Sequence, residues 1–314
     1  MLLLRKNFTK EKYLKKLYII LLLTISLIAN DTNSTKLTDE ELMNRVLYTN
    51  LAGAGVVTLW GVAFWDYFSQ TPKFDQERWF QNDTSYGGAD KFGHLYSTYL
   101  WSLGFSALYE SWGMKEDEAT FYGSTTAWTF QAIMELGDSF SDSYGFSYED
   151  FIMNTVGAGF YYIRAMNPSL KEKLDLRCEY VPKFQSNTDF FSQYNSMKYL
   201  IALKGSGFES TKSSWLKYTE LQLGYYTRGY QNDDLYQTDP INGNPYKGNA
   251  KTERVVYLAI GISISELLNK AGWEKTGSVF NYVQLPYTYV PFGYDADSSS
   301  YVAPYSRPYF GYLK

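Results

Sequence analysis

The spacing of apolar positions changes near residue 170 and divides the chain into two kinds of structure. Before that point, apolar residues recur at the three- and four-residue spacing of amphipathic helices. After it, short stretches alternate apolar and polar side chains, which is typical of strands with one buried face. The pattern therefore predicts an α+β fold: an N-terminal helical bundle of about four helices, followed by a C-terminal antiparallel β-sheet or partial barrel.

The first predicted helix begins at a capping-box pattern formed by Thr38 and Glu41. It continues through 20 uncharged residues, 46–65, which is long enough to span a membrane. Three glycines and several polar residues interrupt this stretch, so a buried or surface-lying helix and a true membrane span both stay open. A glycine or an Asn-Pro pair ends each of the other three predicted helices, which lie at 91–112, 119–136 and 150–166.

Five stretches of strand length alternate apolar and polar residues in the C-terminal part. The tail from Pro291 is rich in Pro, Ser and Tyr and is predicted to be irregular. Five or six strands are too few for one chain to close an outer-membrane barrel, so a soluble or surface-lying sheet is favoured. The five predicted strands lie at 176–181, 198–204, 217–225, 254–263 and 279–289.

The N-terminus has the pattern of a targeting segment. Six basic residues precede a short apolar run at 17–28, and Ala29 is a plausible cleavage point. This pattern predicts a secretory signal peptide over 1–29, with an uncleaved membrane anchor as the alternative. The rest of the chain is predicted to divide into a flexible lead at 30–40, a helical domain at 41–170, an antiparallel β domain at 171–290 and an irregular Tyr- and Pro-rich tail at 291–314.

Charge and composition limit which cellular compartment and which kinds of partner are expected. Loss of residues 1–29 would remove six basic residues and one acidic residue from totals of 29 and 33, leaving a net charge of about −9. No basic run then remains, which argues against nucleic acid as a partner. The many Tyr and Trp side chains suit membrane interfaces. We therefore expect a location in the cell envelope, in the periplasm or associated with the outer membrane, with a membrane or another envelope component as partner and an oligomeric state that the sequence does not give.

Three polar pairs at helical spacing carry the candidate chemistry. Asp90 and His94, the only histidine, share one face of a predicted helix, and Asp90 is expected to be its N-cap. Glu135 lies in an otherwise apolar stretch, and a buried carboxylate costs several kcal/mol unless it is paired or bound to a cation. We therefore expect the pairs to meet. The candidate catalytic residues are His94, Glu135, Asp90 and Lys91, and the candidate binding residues are Asp138, Asp150 and Asn154.

Several chemistries fit these residue types, and each residue could also be a helix cap or a satisfied buried group. A metal site of one His with carboxylates would favour Mn, Mg, Ca or Fe over structural zinc, whereas a di-iron bundle needs more than one His. A proton relay of Lys91, His94 and Glu135 is another option. A Ser–His–Asp hydrolase is conceivable, but the sequence contains no nucleophile-elbow motif. It also contains no phosphate-binding loop, and Cys178 is its single cysteine. The sequence therefore assigns no particular metal or cofactor. The candidate serine nucleophiles are Ser97, Ser139 and Ser141.

Several motifs resemble the YfiM-type family of periplasmic lipoproteins of unknown function from Gram-negative bacteria. They include Asp90-Lys-Phe-Gly-His-Leu-Tyr-Ser, Glu135-Leu-Gly-Asp138 and Asn154-Thr-Val-Gly157, and the resemblance covers residues 41–170. It implies an envelope location but no established activity. The chain has no lipobox cysteine near the signal segment, which departs from the lipoprotein pattern. The order Asp-Lys-x-x-His, Glu, Asp, Asn is more distantly similar to VanZ-like membrane proteins.

The expected function is that of a structural or binding protein of the cell envelope with a buried polar cluster. Two alternatives stay open. One is an envelope hydrolase or transferase that acts on lipid or cell-wall substrates through His94 and Glu135. The other is an outer-membrane accessory or small barrel protein.

Overall fold

Four long helices precede a six-stranded antiparallel sheet in the computed structural model of the chain, which describes residues 37–181, 193–230 and 252–302. The predicted α+β order is therefore confirmed, and the sheet is open rather than closed into a barrel. The predicted signal peptide, 1–29, lies outside the described residues. The long helices are α1 (Asp39–Phe64), α2 (Ala89–Ser111), α3 (Glu116–Asp138) and α4 (Tyr148–Ala165).

Local hydrogen bonds explain where these helices begin. The predicted capping box of α1 is confirmed: the Thr38 N–H donates to the Glu41 carboxylate at 2.7 Å, and the Glu41 N–H donates to Thr38 Oγ1 at 3.3 Å. The hydroxyl of Ser147 caps α4. The prediction that Asp90 caps α2 is wrong, because the cap is Gly88 in a left-handed conformation with φ of 85°. Asp90 lies one residue inside the helix, where its carboxylate is free to pair with a neighbouring side chain.

One helix in the described residues, α1, is long and apolar enough to cross a membrane, and only 11% of its apolar window is buried. Helices in the core of a soluble protein can be equally long and apolar, so these two properties do not establish a membrane span. Asn50 in the middle of α1 donates to Thr126 of α3 at 3.0 Å. The choice between a surface-lying helix and a span therefore stays a prediction.

Helix α2 packs against both α3 and α4. Gly157 of α4 makes the second contact close, because a Cβ atom at that position would overlap the backbone carbonyl of Leu95. Replacing Gly157 by Ala is expected to lower the free energy of unfolding by about 1–3 kcal/mol, because backbone cannot move aside as a side chain can.

Chemical denaturation of the Gly157→Ala variant checks this close approach. The matched control is Gly159→Ala in the same helix, since nothing lies within 4 Å of its Cβ position. This control should be neutral or should stabilise the protein by up to about 1 kcal/mol through helix propensity. Equal stabilities of the two variants would contradict the close contact between α2 and α4.

The sheet is a meander in which every pair of neighbouring strands is antiparallel. It joins the helices through the first strand, where Leu176 packs with Tyr99 and Tyr161. Its strands in order are β3 (Leu174–Tyr180), β4 (Met197–Lys204), β5 (Thr219–Arg228), β6 (Glu253–Ile262), β7 (Tyr289–Asp295) and β8 (Ser300–Val302).

The strand predicted at 279–289 is wrong, although four of the five predicted strands occur close to their predicted positions. Tyr287 has a left-handed φ of 62° and follows Pro286, so the chain turns there and β7 begins only at Tyr289. Of the tail predicted to be irregular, residues 291–302 instead form most of β7 and then β8, and the rest lies outside the described residues. The alternation before the turn corresponds to a single parallel bridge between Val283 and β3.

Short elements connect these parts. Two-residue strands β1 (Phe74–Asp75) and β2 (Phe146–Ser147) pair in parallel and hold the segment before α2 beside the start of α4. The remaining helices are α5 (Pro168–Lys173), α6 (Glu209–Lys212), α7 (Ile264–Lys270) and α8 (Glu274–Val279), with 3-10 turns at Tyr194–Ser196, Gly205–Gly207 and Trp215–Tyr218.

Candidate functional site

The three predicted polar pairs meet where the first turns of α2 and α4 face the last turn of α3. His94 lies at the centre: its Nδ1 is 3.3 Å from Asn154 Oδ1 and 3.6 Å from Glu135 Oε1. The other ring nitrogen, Nε2, is 3.8 Å from Asp150 Oδ2. The imidazole is 18% exposed, whereas the Glu135 side chain is only 2% exposed. Three helices thus place one partly accessible imidazole between two buried carboxyl groups.

Lys91 is the counter-ion of Asp150: it contacts the Oδ1 atom of that carboxylate, whereas His94 faces the Oδ2 atom. Its Nζ lies 2.7 Å from Asp90 Oδ2 and 2.9 Å from Asp150 Oδ1, and it also contacts the carboxylate of Glu77. Burial acts to lower the pKa of Lys91, but the three carboxylates outweigh it and raise that pKa above its ordinary value. An ammonium held in this way keeps its proton. The geometry therefore places Lys91 and Asp90 in an ion pair beside the imidazole and favours a supporting role for both.

Glu135 is the most unusual carboxyl group of the site. Burial raises its pKa well above the ordinary range, and the nearby Asp150 and Asp138 carboxyls raise it further, against the opposing effect of a hydrogen bond from the Ser147 backbone. Within the described ranges, Glu135 Oε1 accepts no hydrogen bond although it is buried. An acceptor oxygen in this position is costly unless it is protonated or binds a cation.

Asp138 lies one turn beyond Glu135, at the end of α3. Burial raises the pKa of its carboxyl to about 7, against the opposing effects of the neighbouring Tyr67 hydroxyl and of His94. The Tyr67 hydroxyl also lies 2.9 Å from the Met134 carbonyl oxygen, to which it donates. Asp138 therefore lies at the edge of the cluster beside Tyr67, and Glu135 is the carboxyl group of this helix that contacts His94.

Asn154 orients the imidazole from α4. Its side chain is fully buried, and Oδ1 accepts a hydrogen bond of 2.9 Å from the Thr98 hydroxyl while it faces His94 Nδ1. An amide oxygen in this position favours the tautomer with a proton on Nδ1, which leaves the lone pair of Nε2 directed toward Asp150. Asn154 is thus a positioning residue for the imidazole.

The serine hydrolase option gains no support from the geometry. In the described part of the chain, none of the three candidate serine hydroxyls hydrogen-bonds to the imidazole; each hydrogen-bonds to nearby backbone instead. Ser97 donates to the carbonyl of His94, Ser139 donates to that of Leu136, and Ser141 accepts from the N–H of Ser143.

Sequence reasoning missed three residues that support the site, namely Glu77, Tyr67 and Thr98. Glu77 and Tyr67 lie in the segment between α1 and α2, where no hydrophobic period indicates what a side chain will contact. Thr98 is four residues after His94, so the helical spacing that selected Asp90 could also have selected it.

The segment that contains these helices is similar to a known protein family. Residues 76–166 match the family of predicted periplasmic lipoproteins, DUF2279. The expected resemblance to periplasmic lipoproteins of unknown function is therefore confirmed over this range, and the cell-envelope location agrees with it. The DUF2279 segment begins one residue before Glu77 and ends after α4, so it includes the whole polar cluster. No curated protein and no solved structure matches the chain.

The charges of this polar cluster do not balance. Among the described residues, five carboxyl groups converge on one ammonium and one imidazole, and burial raises the pKa of four of the five carboxyls. Carboxylates at this density must take up protons or a cation. The carboxyl groups are those of Glu77, Asp90, Glu135, Asp138 and Asp150, and the basic groups are those of Lys91 and His94.

Proposed function

We propose that this envelope protein is a binding protein whose helical part holds a divalent cation between His94, Glu135 and Asp150. One ligand atom from each of these residues lies within 4.8 Å of the other two. The observation that carries the proposal is the buried Oε1 atom of Glu135, which accepts no hydrogen bond in the described part of the chain and faces the imidazole. One nitrogen and several carboxylate oxygens suit Mn²⁺, Mg²⁺, Ca²⁺ or Fe²⁺.

A second group of acidic side chains is equally compact but is already neutralised. Glu77, Asp90 and Asp150 also bring their oxygens within 4.8 Å of one another. The Lys91 ammonium lies among them, at 2.7 Å from Asp90 and 2.9 Å from Asp150. The Lys91 ammonium therefore already serves as the cation of this group. The proposed metal ion is assigned to the side of Asp150 that faces His94 and Glu135.

Charge balance supports the same assignment. A divalent ion would offset two of the carboxylates that burial penalises, and it would give Glu135 Oε1 a ligand bond where the described residues provide no hydrogen bond. Asn154 would fix the orientation of the imidazole through its contact with Nδ1, as outer partners of metal-binding histidines do.

Titration calorimetry with Mn²⁺ tests this proposal. The full chain is expected to bind one ion per chain, and the ion should raise the free energy of unfolding by about 2.7 kcal/mol at a free concentration 100 times its dissociation constant. Glu135→Gln should abolish this binding, because it removes a charged ligand while keeping the shape of the side chain.

The matched control is Asp117→Asn, which removes an exposed acid from the first turn of the same helix. This variant should bind Mn²⁺ as the wild type does. A wild-type chain that binds no ion, or a Glu135→Gln chain that binds as well as the control, would exclude the proposed site.

A second candidate function is acid–base catalysis by an envelope hydrolase or transferase. The observation that favours it is the partial exposure of His94 beside two buried carboxyls, which is the geometry of an imidazole that exchanges protons with a substrate. Lipid-ester and cell-wall substrates are the ones to test. Turnover that His94→Gln abolishes without a change in melting temperature would establish this function, and an absence of turnover on all of them would exclude it.

A further inference from the structure

One face of the C-terminal sheet exposes apolar side chains, while the enclosed face holds buried charged and polar side chains beside an apolar cluster that includes Leu200 and Tyr257. Along β5, Glu220 is 2% exposed whereas the next residue, Leu221, is 57% exposed. Gln222 and Leu223 repeat this contrast one step further along the strand. An antiparallel sheet of a soluble protein normally buries its apolar face and exposes its polar face to water.

Strand register gathers the exposed apolar residues into one patch. Leu221 pairs with Ile260 and Leu223 with Leu258 across β5 and β6, and the same face continues into β7. All of these side chains are between 51% and 67% exposed, and none carries a charge. We call this surface the outer patch; it consists of Leu221, Leu223, Leu258, Ile260, Val290 and Phe292.

The opposite face of the sheet encloses ion pairs formed by β3, β4 and β5. Arg177 Nη1 lies 2.8 Å from Glu220 Oε1, and Lys198 Nζ lies 3.0 Å from Glu179 Oε1. All four side chains are almost completely buried. Because these buried charges are paired with one another, the face that carries them belongs to the interior of the protein. The outer patch is therefore the face that is exposed to the surroundings.

Aromatic side chains flank the outer patch at both ends of its strands. Trp215 precedes β5, and Tyr287 precedes β7 at the same end of the sheet; both are exposed. At the other end, exposed Tyr294 and Tyr301 contact each other with ring centroids 5.7 Å apart. An apolar patch with exposed Trp and Tyr at its rim suits a surface that contacts lipid, because the amphipathic rings of these residues favour the level of the headgroups.

The outer patch is extended along the strands. The outward-facing positions of β6 run from Val256 to Ile262, which at 3.3 Å per residue is about 20 Å. Lys217 and Lys270 lie over the Tyr218 ring at the end where β5 begins, at 5.1 and 5.4 Å from its centroid. Lysines in that position can reach anionic headgroups while their stems stay in apolar surroundings.

We propose that the outer patch inserts into the hydrocarbon region of a lipid bilayer. Within the described residues the sheet is open, and β8 pairs on one side only. An open edge inside hydrocarbon would leave backbone groups without partners, so the sheet lies face-on in one leaflet and does not span the bilayer. The occupant of the patch is lipid acyl chain, and the proposal does not depend on the cation site.

Site-specific labelling of the full chain tests this contact. Leu258→Cys carries an environment-sensitive fluorophore on the outer patch, and Lys115→Cys carries it on an exposed position of the helical part. On addition of phosphatidylethanolamine–phosphatidylglycerol vesicles, the label at 258 should shift to shorter wavelength and be quenched by spin-labelled acyl chains. The label at 115 should do neither.

Vesicle flotation of charged variants gives the complementary result. Leu258→Asp with Phe292→Asp should lower the bound fraction about tenfold or more, because two charges would have to enter hydrocarbon. Phe74→Asp, a substitution of an exposed strand phenylalanine outside the outer patch, should not lower it. Binding that persists with an unquenched label at 258 would overturn the proposal, as would a label already shielded in a dimer without vesicles.

Discussion

Replacing Lys91 by Met should lower the free energy of unfolding by about 3–5 kcal/mol. The variant keeps the length of the side chain but removes the ammonium that lies among Asp90, Asp150 and Glu77. Those carboxylates would then face one another without a counter-ion. Breaking a buried ion pair on one side is far more costly than removing an exposed one, because the remaining charge stays desolvated. Urea denaturation of the full chain measures the effect.

A matched lysine provides the control for this experiment. Lys115 is exposed and lies 3.9 Å from Glu118, so its pair is a surface ion pair of the kind that contributes little. Lys115→Met should therefore leave the unfolding midpoint unchanged. If Lys91→Met were as stable as Lys115→Met, the carboxylates of the cluster would have to be protonated in the folded protein, and Lys91 would not be their counter-ion.

Replacing Arg177 by Met should have an effect of similar size, about 3–5 kcal/mol, in the other half of the molecule. The Arg177 guanidinium lies 2.6 Å from Asp175 and 2.8 Å from Glu220, and it also donates to Gln284. Burial alone would lower the pKa of Arg177, but both carboxylates raise it, so the charge is retained. The substitution would leave the Glu220 carboxylate buried without its cation, whereas Asp175 would keep its ion pairs with Arg164 and Lys204.

The control is an arginine that also pairs with an aspartate, but at the surface. Arg78 contacts Asp83, and both side chains are about half exposed. Arg78→Met should change the unfolding free energy by less than about 1 kcal/mol. An Arg177→Met variant with near wild-type stability would show that the enclosed face of the sheet is reached by water, which would also remove the reason for regarding the outer patch as the surface in contact with lipid.

The helical part follows from its sequence because local signals and packing agree there. The capping box at Thr38 and the stop at Asn167 and Pro168 both act within one turn of chain, so their effect is visible without a partner. Asp90 shows the limit of such signals. Its residue type suits a cap, but the helix begins one residue earlier because Gly88 adopts the left-handed conformation of the cap. The Asp90 carboxylate forms an ion pair with Lys91 instead.

Other features depended on long-range contacts that a pattern does not encode. Glu77 approaches Lys91 only because a parallel bridge between β1 and β2 holds its segment against α4. The alternation of Glu220 and Leu221 predicted a strand, but alternation does not say which face the protein will enclose. The ordinary expectation places Leu221 inside, and the buried ion pairs of β3 reverse it.

Diffraction from crystals grown with Mn²⁺, recorded at the manganese absorption edge, tests the central claim most directly. The claim is that His94, Glu135 and Asp150 form one cation site in the DUF2279 segment. We expect a single strong anomalous peak within coordination distance of all three side chains, with Lys91 still among its carboxylates. An anomalous map without a peak there, or with manganese bound only to exposed acids elsewhere, would contradict the account.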